Sequence, residues 1–310
     1  MLGLRVYVAK KKNFHPSELS LREMFSQSNR DCESILLLEA PQKFFKEAAM
    51  LRSLQSAATG MEAQQQLMDT LSNNIANVNT TGFKKQRAHF NDLLYQNMRA
   101  PGLSSNQGSV NPSSIQVGSG VQLQSIDRIF TEGSIKETGN DTDLMIGGRG
   151  FFRVQMQDGS LGYTRDGSFR RSADGRLTTA DGLPMVPEVV VPPNALALNI
   201  ARDGVVTCTV QGEVEPRNLG QIQVANFVNP AGLNSIGRNL FTQTVASGEP
   251  IVANPGENGT GSIGQRELES SNVNIVDEMV QMIMGQRAYE LSSKVIKTGD
   301  EMLAATNQMR

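Results

Sequence analysis

Four side chains could supply a soft nucleophile or metal ligand: Cys32, Cys208, His15 and His89. Cysteine or histidine catalysis needs a thiol or hydroxyl next to a base that a third group orients. Two cysteines and two histidines, all far apart, neither show zinc-site spacing nor make a disulfide framework. Cys208 lies in Val205-Val206-Thr207-Cys208-Thr209-Val210, where a small buried or half-buried strand residue is expected. Gly147-Gly148-Arg149-Gly150 has the glycines of an anion loop. It lacks the Lys-Ser/Thr of a P-loop and runs into strand-like Phe151-Phe152-Arg153-Val154, so a turn is expected. Asp141-x-Asp143 opens like a calcium loop, but the later Gly and bidentate Glu are missing. Lys84-Lys85-x-Arg87 is a basic cluster that fits a solvated helix end. No carboxylate pair stands out for hydrolysis. The reading is of a non-enzyme with no catalytic residue, no metal and no cofactor.

The elements carry more information. The 310 residues are 38% hydrophobic and 19% charged, with mean hydropathy −0.30 and net charge −2. No basic field suggests nucleic acid as a partner. Apolar runs such as Ile35-Leu36-Leu37-Leu38 reach only four residues, far short of a membrane span, and neither end reads as a cleaved secretory signal. Trp is absent and aromatics make up only 5%, lean for one large core.

From Leu54 to about Asn79, apolar residues recur at Leu54, Ala58, Met61, Met68, Leu71, Ile75 and Val78. Spacings of 3 and 4 make a narrow helical stripe, closer to a coiled-coil seam than to a core face. Gly82 is expected to end this helix in the left-handed conformation. The Asn-rich stretch Ser72–Lys85 allows two readings. It is either a polar face running into a cap, or a helix that stays unfolded until neighbours supply partners for its amides.

At the other end, Val276, Val280, Ile283, Leu291, Val295 and Met302 recur at helical spacing behind an Asn274 cap, with Asp277 and Glu278 in the first turn. Gly285 and Gly299 each weaken such a helix by about 1 kcal/mol relative to Ala. Between the helices, Asp-Gly pairs at 158, 166, 174, 181 and 203, with Asn258-Gly259, punctuate short β-branched runs. They predict tight hairpins, because such turns demand positive φ. The fold expected is α+β, with N- and C-terminal amphipathic helices forming a coiled-coil-like domain that frames a mainly-β centre.

Residues 1–49 follow no sustained period and hold 8 of the 29 basic and 6 of the 31 acidic residues, leaving 21 against 25 for the rest. A regular pattern begins at Met50. Lys46-Glu47-Ala48 can be encoded as AAG-GAG-GCN, a ribosome-binding sequence ahead of an ATG. Residues 1–49 therefore read as an atypical extension, either translated upstream sequence or a disordered arm. After it come a 50–82 axial helix, an 83–137 linker with β segments, a 138–270 β domain and a 271–310 axial helix. The Gly/Pro/Ser-rich stretch 100–120 reads as extended.

Ser72–Lys85, with Asn74, Asn77, Thr81, Gly82, Phe83 and Lys84, resembles the signature of the axial proteins of the bacterial flagellum: rod, hook and hook-associated subunits. Thr138–Val154, Tyr163–Phe169 and Gly175–Thr179 resemble that family's central β motif. Leu268–Asn274 and Met282–Glu290 resemble its third block. Within the family, Phe90–Gln96, Pro101-Gly102, Gln116–Val121 and Ile200–Val206 are most similar to the distal-rod subtype, with proximal rod and hook subunits the nearest alternatives. Family members do not normally carry an extension like 1–49.

The resemblance implies a structural subunit exported by the flagellar type III apparatus without a cleaved signal. It would sit in the basal body, where the rod crosses the periplasm, as a helical homo-oligomer meeting proximal rod and hook subunits and the outer-membrane and peptidoglycan rings. It implies a straight, hollow drive shaft that transmits torque and passes exported proteins, with 100–120 bracing between subunits. Leu54, Met61, Met68, Leu71, Ile75 and Val78 on the first helix, and Val276, Val280, Ile283, Leu291 and Val295 on the second, are the expected subunit-packing residues. A peptidoglycan-cleaving enzyme and a soluble β-domain binding module are the readings from other classes.

Overall fold

The computed structural model describes residues 51–99, 113–212 and 215–308. The expectations for 1–49 and for most of 100–120 lie outside these residues. The chain divides into two compact units at Leu54/Gln55. Of the first, residues 51–54 are described and are helical. Among the described residues, the second, Gln55–Arg310, carries every strand and nearly all of the helix.

Two helices flank a mainly-β centre, as the sequence predicts. The first, α1, is helical over 51–76 and ends six residues short of Gly82. Asn77 to Thr80 form turns instead, closed by the bonds from Val78 N to Ile75 O and Thr80 N to Asn77 O. Gly82 does adopt a left-handed φ of 67°, but as part of the entry to the first strand rather than as the helix cap. The second, α2, spans Ile275–Gln308, about 50 Å at 1.5 Å per residue. Asn274 caps it: its Oδ1 accepts from Val276 N at 3.1 Å and its Nδ2 donates to Asp277 at 2.9 Å.

The helices run antiparallel. Gly60 lies against Ser292, Gly285 against Gln64, Leu67 and Met68, and Asn74 bonds Glu278. The α2 side of this seam is Glu278, Gly285 and Ser292, spaced by sevens, all buried or half-buried. Small residues at this spacing let two helix backbones approach closely. Gly285, which weakens α2 on propensity, is therefore where α1 docks. A Cβ added at Gly285 would sit 3.5 Å from Met68 Cγ, an ordinary contact. Gly285→Ala should thus keep the pairing and raise stability by about 0.5–1 kcal/mol through helix propensity. Urea denaturation of the two proteins checks this.

The centre holds a seven-stranded antiparallel sheet. Its middle is the hairpin Phe151–Gln155 and Leu161–Thr164, flanked by Leu240–Thr242 on one side and Val224–Asn226 on the other. Alternation along these strands divides the core between two faces. Phe152, Val154, Val224 and Leu240 join the larger cluster; Phe151, Tyr163, Ala225 and Phe241 join a smaller aromatic one. Within the smaller cluster, Phe151 is edge-on to Phe130, Phe227 and Phe241. A three-stranded sheet, Ala195–Ile200, Val205–Val210 and Arg217–Gln221, completes the larger core and buries Cys208.

Asp158-Gly159, Asp174-Gly175 and Asp203-Gly204 each join paired neighbouring strands, and Asp181-Gly182 closes onto a Thr178–Pro184 bridge. Two expected hairpins are absent. Asn258-Gly259 turns with both residues at positive φ, but its flanking strands pair elsewhere. Gly167 is pressed against Leu144, whose N–H bonds Gly167 O at 3.0 Å, so that turn serves packing. Gly148-Arg149 is a bend between two strands, as expected.

Candidate functional site, a buried polar lock beside a bare helix face

The segment after α1 enters the β domain through a set of buried polar contacts. Asn74 is 1% exposed on the last full turn of α1. Its Oδ1 accepts from Gln86 N and its Nδ2 donates to Gln86 O, both at 2.8 Å. One side chain thereby stands in for a neighbouring strand at the start of Gln86–Asp92. The same Nδ2 donates to Glu278 Oε2 at 3.0 Å, tying both helices to that strand. Glu278 is buried in the first turn of α2, where the helix dipole favours a carboxylate, and Lys85 Nζ stands 3.8 Å from it.

Asn77 stays local, donating to Asn73 O at 2.9 Å and accepting from Thr80. Thr81 donates to Asp166 at 2.9 Å, and its carbonyl accepts from Asn239. Gly82 N donates to Glu269 O at 2.8 Å. Phe83 is buried, with the Arg128 guanidinium 6.0 Å above its ring.

Lys84 is 0% exposed, which corrects its expected place at a solvated helix end. Its Nζ donates to Glu269 Oε1 and, at 2.6 Å, to Thr131 O. The other oxygen of Glu269 accepts from Arg165 Nη1 at 3.3 Å, and Oε1 also accepts from Gly133 N at 3.0 Å. Arg165 directs further Nη donors to the carbonyls of Ile146 and Gly148. One carboxylate is therefore shared between two buried cations. Burial lowers the Lys84 pKa from its ordinary value, against the pull of Glu269. Asn272 adds a parallel tie: its Oδ1 accepts from Lys85 N at 2.8 Å and its Nδ2 donates to Ile129 O at 2.8 Å.

The packing residues expected from the sequence fall into two groups. On α1, Leu71 is buried, while Leu54, Met61, Met68, Ile75 and Val78 are half-buried. On α2, Val276, Val280, Ile283, Leu291 and Val295 are 49–67% exposed, on faces that α1 leaves bare. Ile275, Met279, Met284 and Met302 are exposed with them. Spacing alone does not single out Arg165, Glu269, Asn272 or Glu278 as parts of a lock. Family resemblance marks the segments that hold Arg165, Glu269 and Asn272, without pairing them. Asp141, half of the calcium-like pair, is tied to Arg266 at 2.7 Å.

Three family models match the chain. A flagella basal body rod protein model covers residues 54–84, a flagellar hook protein FlgE/F/G D1 domain model covers 145–208, and a flagellar basal body rod FlgEFG protein C-terminal model covers 265–309. The flagellar basal-body rod protein FlgG of Buchnera aphidicola subsp. Schizaphis graminum is 48% identical over 260 residues, 84% of this chain and 100% of that protein. The chain belongs to the flagellar basal-body rod protein family. FlgG of Caulobacter vibrioides is 45% identical over 261 residues, covering 84% of this chain and all of that protein. The Bacillus subtilis hook-basal body complex protein FlhP is 30% identical over 274 residues, again 84% of this chain and all of the relative. The lock thus belongs to a rod subunit: the first family model ends at Lys84 and the third takes in Glu269 and Glu278.

Proposed function

We propose that this rod protein is a distal-rod subunit that polymerises through α1 and α2 into a straight hollow shaft, transmitting torque and passing exported proteins through its bore. The observation that carries the reading is the exposed apolar surface of α2, running from Val276 to Val295 beside a small-residue seam filled by α1. A 34-residue helix with that much bare apolar surface is poorly suited to a monomer. A second copy laid on it makes a heterologous contact that repeats without closing. Proximal rod and hook subunits, the export apparatus and the surrounding envelope rings are the partners this role entails, and the periplasmic stretch of the basal body is its place. The role is mechanical, so no catalytic group is assigned.

Electron microscopy of the full chain, concentrated slowly with and without rod or hook seeds, tests the reading. Straight tubes are expected; curved tubes would indicate a hook-type subunit. Ile283→Asp is the informative variant, because Ile283 is 54% exposed and its replacement leaves the monomer intact. It should abolish tubes while leaving the circular dichroism spectrum and melting temperature of the monomer unchanged. Tubes from Ile283→Asp at wild-type concentration would remove α2 from the subunit contact.

A further inference from the structure

A pocket of about 330 Å³ opens beside the lock, at the Phe151 end of the central hairpin. Three guanidiniums line it, Arg128, Arg149 and Arg165, together with Phe151, Phe227 and Val228. Arg165 is 3% exposed, and its buried Nε makes no hydrogen bond. Arg128 lies over the Phe241 ring at 5.2 Å, and neither it nor Arg149 reaches a carboxylate within ion-pair distance among the described residues. The nearby acids are Glu269, already shared by Lys84 and Arg165, and Glu132, which acts on those two from a distance. The pocket therefore carries excess positive charge against aromatic walls. Val228 stands 82% exposed at its rim. Arginines and aromatic rings with an apolar rim are the composition of an interface anchor.

The opposite end of the same hairpin carries the complement. Beyond Gln155 the chain turns through Asp158-Gly159, exposed at the tip with open space around Gly159. The amide and hydroxyl of Ser160 both donate to Asp158 Oδ1, at 3.0 and 2.6 Å, which fixes the carboxylate and holds its pKa below the usual range. Pocket and tip are separated by the length of a five-residue strand, about 17 Å. A copy shifted along that strand direction would bring its tip to the next copy's pocket.

We propose that Asp158 of one copy binds the Arg128–Arg149–Arg165 pocket of the next, forming a head-to-tail contact between β domains. The contact rests on the polymerisation proposed for the helices and assigns it a second, outer point of attachment. It is heterologous, so it propagates along an open assembly, and it weakens as salt rises.

The test is the critical concentration for seeded polymerisation of the full chain, for wild type, Arg149→Glu, Asp158→Lys and the two combined. Arg149 and Asp158 side chains are both exposed, so each monomer should melt like wild type. Asp158→Asn, which keeps the acceptor for Ser160 and removes the charge, guards against a turn that fails to form. Each single variant, Asp158→Asn included, is expected to raise the critical concentration at least tenfold, and the charge swap to restore it to within about threefold of wild type. Single variants that polymerise like wild type, or a swap no better than either, would overturn the contact and leave the helical polymer standing. If the wild-type chain forms no polymer even on seeds, the polymerisation reading falls and the contact falls with it.

Discussion

Glu269→Ala is expected to lower the free energy of unfolding by about 3–5 kcal/mol, enough to leave a marginal domain largely unfolded. The loss is that large because the carboxylate is shared. Removing it strands the Lys84 ammonium, 0% exposed, and the Arg165 guanidinium together, and also unpairs Gly133 N. Breaking a buried pair from one side costs far more than the pair contributes relative to apolar groups of the same shape. Lys84→Met in the Glu269→Ala background should therefore recover part of the loss, because one of the two stranded charges is gone. Chemical denaturation of the two single variants and the double gives the coupling directly. A Glu269→Ala protein as stable as wild type would mean that the triad is solvated rather than buried.

Gly82→Val is expected to be nearly as damaging, at about 3 kcal/mol or more by the combined cost of strain and overpacking. Two separate effects add. A φ of 67° places a β-branched residue in a conformation that costs roughly 1–2 kcal/mol by itself. In addition, a Cβ there would lie 2.7–2.8 Å from the backbone of Arg165 and Asp166, which cannot swing aside as a side chain can. Gly139 separates the two costs, since its φ is 76° but open space surrounds the position. Gly139→Val should show the conformational cost alone. Equal losses at both positions, measured by urea unfolding, would mean that Arg165–Asp166 does not press on Gly82.

These two residues also mark how far a linear reading reaches. The terminal helices are legible, because period-3.6 apolar stripes and the Asn274 cap are local signals. Three Asp-Gly hairpins are legible for the same reason. Gly82 reads correctly as left-handed, but for a helix end that lies instead at residue 76. The seam between the helices is not legible, because it is built from Gly60, Gly285 and Ser292, and propensity marks such glycines as defects. A Lys-Lys-x-Arg cluster is ordinarily a solvated surface, so spacing alone puts Lys84 in water. The groups that bury it, Arg165 and Glu269, come from other segments, and no spacing rule links residues so far apart. Family resemblance points to Lys84 without saying what it does; the geometry supplies the partner.

The long separations have a kinetic consequence. Lys84 meets its carboxylate 185 residues downstream, and Asn74 meets Glu278 across 204. Contacts of such high sequence separation form slowly, since the loop must close before anything rewards the closure. If the export apparatus delivers the chain amino end first, Lys84 arrives long before Glu269. Until that tail emerges, the leading segment has an unmet ammonium and an uncovered helix. The chain would therefore stay slack in a narrow conduit and set only on arrival of its tail, so that folding keeps time with delivery.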